Sequence, residues 1–180
     1  MGSFAWSIYK TKYGCGAAVE SDRGLHRVLL PAYSALEVEA EIEERYGKVA
    51  SRFARLAACD LLESYFRGTE VNFSAFALDL EGYGAFERRV YEEAAKIPFG
   101  AAISYNELAT RAGYPGAARA VGNALRKNRL LIAVPCHRVI RADGGLGGWS
   151  GADGWKARLL EIEEIEISSE VRNFKREAKR

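Results

Sequence analysis

Five consecutive residues, Pro135-Cys136-His137-Arg138-Val139, set a thiol beside an imidazole and a guanidinium, behind a proline that cannot continue a helix. A free cysteine is mostly protonated at neutral pH, and only its thiolate attacks carbon or binds a metal. A neighbouring imidazole with a carboxylate behind it is a usual way to generate that thiolate. On spacing alone a plainer reading stands beside this one: a buried structural cysteine flanked by two surface residues.

The other two cysteines, Cys15 and Cys59, lie far from Cys136 and from each other. Three thiols cannot all pair, which argues against a secreted disulfide scaffold. A metal centre would have to gather Cys15, Cys59, His26 and a carboxylate from scattered positions without any CxxC or HxxxH spacing, so no metal or other cofactor is expected. Cys15 and Cys59 read as small buried apolar residues. The 180 residues are 48% hydrophobic and 28% charged, an ordinary globular balance. No apolar run is long enough for a membrane span, and no basic segment followed by an apolar stretch opens the chain. A cytoplasmic protein, or a nuclear one from a eukaryotic source, is the expectation. The net charge of +2 is unremarkable, but from Arg111 to Arg141 there are seven Arg or Lys and no Asp or Glu. Such a block attracts a polyanion, although a solvated basic face is the commoner outcome.

The elements that must position these groups can be read from pattern. Strands are expected over Trp6–Tyr13 and Ala17–Leu30, the latter broken by a turn near Ser21-Asp22-Arg23-Gly24. Ser34-Ala35-Leu36-Glu37 has capping-box spacing and opens a helix that fades at Gly47. A second helix is expected over Arg52–Arg67, closed by Gly68, and then a strand over Val71–Leu80. Glu81-Gly82-Tyr83-Gly84 reads as a hinge. Beyond it come a helix near Gly84–Ile97, a capping box at Ser104-Tyr105-Asn106-Glu107 with a short helix to Ala112, a turn at Gly113 to Gly116, and a helix over Ala117–Lys127. Helix, short glycine turn, helix is the helix-turn-helix pattern. At about 100° per residue, Ala117, Ala118, Val121, Ala124 and Leu125 share one side of its second helix, while Arg119, Gly122, Asn123, Arg126 and Lys127 share the other. Small residues on a basic face allow a helix backbone to approach a nucleic-acid groove, where Arg and Asn contact phosphates or base edges. After a glycine-rich stretch from Asp143 to Gly154, a last helix starts near Trp155. Glu163 falls on its apolar arc, between Leu159 and Leu160, and a carboxylate there needs a partner such as His137 or a backbone donor. The fold expected is α+β: a sheet-plus-helices domain over 1–82, a helical domain with the helix-turn-helix over 83–167, and a charged tail over 168–180.

Taken together, the ordered set Ile97-Pro98-Phe99-Gly100, Ser104-Tyr105, Arg119-Ala120-Val121-Gly122, Asn128, Pro135 to Val139, Ser150-Gly151, Lys156, Leu159-Leu160 and Glu163 resembles the O6-alkylguanine-DNA alkyltransferase family, also called methylated-DNA–protein-cysteine methyltransferases. The resemblance spans roughly Phe86 to Glu163; the first 80 residues match only in layout. It implies DNA repair by a single-turnover enzyme that transfers an alkyl group, typically methyl, from O6 of guanine (less readily from O4 of thymine) to Cys136, with no cofactor. By position, Cys136 is the nucleophile, His137 a base acting through a water, Glu163 the group that orients His137, Asn128 the brace of the reactive turn, and Tyr105 a donor to the flipped guanine. Ser150 would bond near O6, the backbone around Val139 would read the base edge, and Trp149 would cap the pocket beside Gly151. Arg119 would fill the place the base vacates. Ser104, Gly122, Asn123 and Arg126 would complete the contact with the minor groove of double-stranded DNA. The implied protein is a monomer that binds no membrane.

The sequence departs from the family at Arg129, where a proline usually follows the asparagine, so the turn is expected to be looser; Ala152 replaces a glycine. Two rivals remain. A non-catalytic binder of alkylated DNA, like the alkyltransferase-like proteins, would lack the cysteine that stands here in an intact motif. A turnover cysteine hydrolase would need an oxyanion hole and a peptide cleft, which a helix-turn-helix gives no reason to expect.

Overall fold

The computed structural model describes residues 3–32, 34–47, 50–52, 55–149 and 154–166. The fold is α+β, in two compact units: one of Met1–Glu81 with Arg129–Ala133, the other of Gly82–Asn128 with Val134–Arg180. The chain therefore divides near the expected hinge, but five residues immediately upstream of the cysteine motif group with the first unit.

In the first unit, β1 (Phe4–Thr11), β2 (Gly14–Ser21) and β3 (Gly24–Ala32) form antiparallel neighbours, and β4 (Ala50–Arg52) adds in parallel beside β1, giving the order β3-β2-β1-β4. The segment expected as one broken strand over Ala17–Leu30 is a hairpin. Its Gly24 has φ of +125°, and a Cβ there would collide with the Ala77 carbonyl, so only glycine fits. Alternation along β1 splits the core. Trp6 faces Val19, Leu29, Val38 and Ile42 with α1 (Ala35–Tyr46), whereas Ser7 and Tyr9 meet Cys59 and Phe66 of α2 (Ala57–Phe66). The N-cap expected for α1 forms, Ser34 Oγ accepting from the Glu37 amide at 3.3 Å; the Glu37 carboxylate takes the Ser34 hydroxyl at 2.9 Å.

Three expectations fail in this unit. The second helix starts at Ala57 rather than Arg52, which lies in β4. Its first turn is capped from afar, the Leu56 amide donating to Ser7 Oγ at 2.9 Å, a partner that no local pattern discloses. Val71–Leu80 is not a strand. Asn72 Oδ1 accepts from the Ser74 amide at 2.7 Å in an Asx turn, Phe76 N bonds back to Phe73 O, and a single bridge joins Leu78 to Leu25. Of the cysteines expected to be buried, Cys59 is, whereas Cys15 is only half-buried because β2 leaves it near the sheet's edge turn.

The second unit contains α3 (Ala85–Ala94), β5 (Ile103–Ser104), α4 (Tyr105–Arg111), α5 (Ala118–Arg126), a 3-10 turn over Cys136–Arg138, β6 (Val139–Ile140) and α6 (Trp155–Ile162). Ser104 caps α4, its Oγ accepting from the Glu107 amide at 3.1 Å. At the other end Gly113 takes φ of +87°, with Gly113 N bonded to Thr110 O and Tyr114 N to Ala109 O, the paired bonds of a Schellman motif. That motif turns the chain sharply into α5, whose Val121, Ala124 and Leu125 are buried. The buried Tyr91 of α3 locks α5 in place by donating to Ala124 O at 2.7 Å. Among the described residues no helix is long and apolar enough to cross a membrane.

Candidate active site

The Pro135–Val139 motif sits on a short turn braced at both ends. Asn128 Nδ2 donates to Val134 O at 2.9 Å, closing the mouth of the 129–133 loop, and Asn128 also hydrogen-bonds the Cys136 sulfur. Beyond the cysteine, β6 pairs in parallel with β5, Val139 opposite Ile103. Proline at 135 ends any helical approach, and the single 3-10 turn then points three successive side chains, Cys136, His137 and Arg138, into buried surroundings.

Those surroundings are a charged network. Glu163 is 2% exposed and its carboxylate accepts from every side: His137 Nε2 lies 2.5 Å from Oε1, Arg138 Nη2 3.0 Å from Oε1, Arg138 Nε 2.8 Å from Oε2, and the Gly100 amide 3.3 Å from Oε2. Arg138 adds a bond to Ile97 O at 2.5 Å and stacks over Phe99. Burial opposes ionisation of Glu163, but the bonds from His137 and Arg138 outweigh it and hold its carboxyl at about 2. The bidentate Arg138 supplies the countercharge that lets an ion persist here. For His137 the balance falls the other way: burial lowers it below the usual histidine range, against the pull of Glu163. A neutral imidazole facing a permanent carboxylate must carry its proton on Nε2, which leaves the lone pair on Nδ1.

Helix α6 delivers Glu163 by ending at it. Glu163 is the C-cap; Glu164 follows at φ of +58°, and the bonds Glu164 N to Glu161 O and Ile165 N to Leu160 O complete a second Schellman turn, without glycine. One face of the same helix delivers Lys156, 4% exposed. Its Nζ donates to Val139 O at 2.6 Å, to Leu146 O at 2.5 Å and to Tyr105 Oη at 3.3 Å. Burial lowers Lys156 to about 8, against the attraction of the Cys136 sulfur. Cys136 is 4% exposed; burial pushes its thiol up, and Asn128 and the Lys156 charge offset this only in part.

The structure thus gathers Cys136, His137, Glu163 and Asn128, with Tyr105 tied in through Lys156. Tyr105 Oη also donates to Gly148 O at 3.1 Å. Val139, expected to offer backbone to a base, is itself buried and its carbonyl is occupied by Lys156. Trp149 stacks on His137 at 6.4 Å between ring centres. Ser104 spends its hydroxyl on the α4 cap. Ser150 and Gly151 lie outside the described residues. On α5, Arg119, Asn123 and Arg126 are exposed and Gly122 is half-buried; a Cβ at Gly122 would meet Tyr105 only at 3.7 Å, so internal packing does not require glycine there. Arg126 lies against Gly148, where a Cβ would come within 2.7 Å of its Nη2. Lys127, counted on the same basic face, is paired with Glu87 at 2.7 Å.

Two residues of the network escape pattern reading, Arg138 and Lys156. The signal for Lys156 is present: Lys156, Leu160 and Glu163 recur at i, i+4 and i+7, which puts a second charge on the apolar stripe beside the first. Arg138 is marked only by adjacency, as the cation nearest in sequence to a histidine that needs a carboxylate. Arg129, expected to loosen the turn, does the reverse within the first unit. Its guanidinium donates to the carbonyls of His26 at 3.0 Å and of Asp79 and Glu81 at 2.9 Å each, while its own carbonyl accepts from Val28 N.

Residues 85–165 match the family profile of the DNA-binding domain of 6-O-methylguanine DNA methyltransferase. The methylated-DNA–protein-cysteine methyltransferase of Mycobacterium leprae is 40% identical over 131 residues, 72% of this chain and 78% of that one. A protein of Thermus thermophilus named a DNA base-flipping protein is 38% identical over 117 residues, 65% of this chain and 78% of that one. The crystal structure of Mycobacterium tuberculosis OGT in complex with DNA superposes with a TM-score of 0.72 at 33% identity, covering 89% of this chain and 92% of the other.

Proposed function

The chain belongs to the methylated-DNA–protein-cysteine methyltransferase family, and from that premise we propose that it takes an alkyl group from O6 of guanine in double-stranded DNA and keeps it on the sulfur of Cys136. It is a DNA-repair enzyme of the alkyl-transfer type. The observation that carries the residue assignment is the buried relay Cys136, His137, Glu163, Arg138.

The chemistry follows from the geometry. His137, with Nε2–H fixed on Glu163, presents the Nδ1 lone pair as the proton acceptor for the Cys136 thiol, through a water. Glu163 and Arg138 together make the resulting imidazolium tolerable, because the carboxylate already carries its countercharge and the extra proton is met by an anion 2.5 Å away. The sulfur lone pair forms the S–C bond as the C–O6 bond breaks, and the departing electron pair goes to the guanine. Tyr105 meets that charge by turning its hydroxyl from Gly148 O to the base. Lys156, hydrogen-bonded to Tyr105 at 3.3 Å and attracted to the Cys136 sulfur, steadies negative charge at either. The product is a thioether, a bond stable to hydrolysis at neutral pH, so each chain acts once.

A target base inside a duplex is out of reach of a buried sulfur, so extrusion is obligatory. Exposed Arg119, in no ion pair among the described residues, is the side chain that takes the vacated place, and Gly122 with Asn123 and Arg126 lets α5 lie in the minor groove. The acting species is a monomer, cytoplasmic or, in a eukaryote, nuclear. The rival reading of a non-catalytic flipping protein leaves Cys136 and its relay without a purpose.

Incubation with duplex containing O6-methylguanine should add one methyl group per chain by intact-mass measurement, on the peptide containing Cys136. Repeated turnover on an unmodified protein would sink the proposal.

A further inference from the structure

Away from the cysteine, the first unit carries a cleft of about 480 Å3 at the end of β1, lined by Lys10, Thr11, Lys12, Glu63, Phe66 and Arg67. Phe66 is its buried floor, and Tyr13 meets that ring edge-on at 6.1 Å while Lys12 Nζ lies 5.1 Å from the Tyr13 ring centre. Lys10, Lys12 and Arg67 form an exposed rim. The one carboxylate in the lining is already committed. Glu63 takes the Arg55 guanidinium on both oxygens, at 3.1 and 2.8 Å, and the Lys10 amide at 2.9 Å. Arg55 also holds Asp60 at 2.5 Å. Lys10, Lys12 and Arg67 are in no ion pair within 4 Å among the described residues; the Arg67 guanidinium donates to Ser64 Oγ at 2.8 Å, near the C-terminal end of α2, and its charge reaches Glu63 only at longer range. Around the cleft, then, the four cations Lys10, Lys12, Arg55 and Arg67 face the two carboxylates Glu63 and Asp60, an excess of two positive charges.

An unneutralised cationic rim repels itself and draws anions. A discrete phosphate would call for buried, preorganised donors, and this rim has long exposed side chains instead. Such a surface suits a polyanion, which gains from many loose phosphate contacts through release of its counterions. We propose that the cleft is a second contact for the DNA phosphate backbone, in addition to the face of α5. The proposal rests on the reading of this chain as a DNA-repair enzyme and extends it to a region without sequence likeness to the reactive domain.

The test uses the full chain and an undamaged duplex, with binding measured from about 50 to 200 mM salt. Each phosphate contact contributes about 0.9 to the slope of log K against log salt, so the variant carrying Lys10→Gln, Lys12→Gln and Arg67→Gln should lose about 2 to 3 from that slope. Its alkylation by free benzylguanine should stay unchanged, which also certifies folding. Arg45→Gln, an exposed charge on α1, should leave the slope alone. An unchanged slope in the triple variant with benzylguanine transfer intact would overturn the cleft assignment and leave the enzyme reading standing. A fall of the same size per charge in Arg45→Gln would overturn it too, by showing a bulk charge effect. Failure of the unsubstituted chain to bind any duplex would remove both readings.

Discussion

Each unit buries a thiol, and the two thiols differ in what surrounds them. Cys59 is 0% exposed and Cys136 4%, and burial pushes both above the usual cysteine range. Cys59 has the Ser7 hydroxyl at 3.0 Å and the Ser7 carbonyl at 3.5 Å, partners that fix a side chain but do not take its proton at neutral pH. Cys136 has an amide donor, a lysine charge and, next in the chain, an imidazole backed by a carboxylate and a guanidinium. Burial alone thus makes an inert cysteine. A reactive one also needs somewhere for the proton to go and something to meet the charge left behind.

The contrast breaks most visibly at the sulfurs. Cys136→Ala should abolish uptake of a methyl group from O6-methylguanine duplex by mass spectrometry. Cys59→Ala should take up methyl as before while losing about 1–2 kcal/mol in denaturant unfolding. Methyl transfer surviving Cys136→Ala would reverse the assignment.

Glu163→Gln sharpens it. Without the anion behind His137, reaction with benzylguanine should slow by roughly 10²-fold or more, and its pH–rate profile should shift upward. An unmoved profile excludes Glu163 from the relay. The same carboxylate ties stability to acid. Its folded value of about 2 lies below the ordinary 4.5, so its contribution, roughly 3 kcal/mol, is fully present above pH 4.5 and is lost as pH falls toward 2. Asp79, also held at about 2 by the Glu81 amide, His26 and Ser21 despite burial, loses its share in nearly the same window. Replacing Glu163 should flatten part of the acid unfolding slope without removing it.

Arg119→Ala should slow repair of duplex by about tenfold or more while leaving free benzylguanine unaffected, since only the duplex requires extrusion. Equal losses on both substrates contradict that role. The smallest effect is at the end of α6, where Glu164 holds a left-handed conformation with its side chain exposed. Glu164→Gly should raise stability by about 1 kcal/mol, measurable as a shift in the denaturation midpoint, with the relay intact.

What could be read from sequence was whatever the chain determines locally. The N-caps at Ser34 and Ser104, the Gly113 turn, the buried arc of α5 and the inward Glu163 all depend on residues within one or two turns of each other. What could not be read depends on partners dozens of positions away. The late start of α2 waits on Ser7, the failed strand over Val71–Leu80 on a single bridge to Leu25, and the burial of Arg138 on Glu163 and Ile97. Arg129 is the sharpest case: substituting a flexible side chain for a rigid ring predicts slack, and three remote carbonyls supply the restraint instead.

That segment has a practical consequence for dissecting the molecule. Because Arg129–Ala133 groups with the first eighty-one residues, no single scission of the backbone yields both units whole. A C-terminal fragment cut at the hinge would keep the motif but strand these five residues, and Arg129 would lose its hydrogen-bond partners, the Val28 amide and the carbonyls of His26, Asp79 and Glu81.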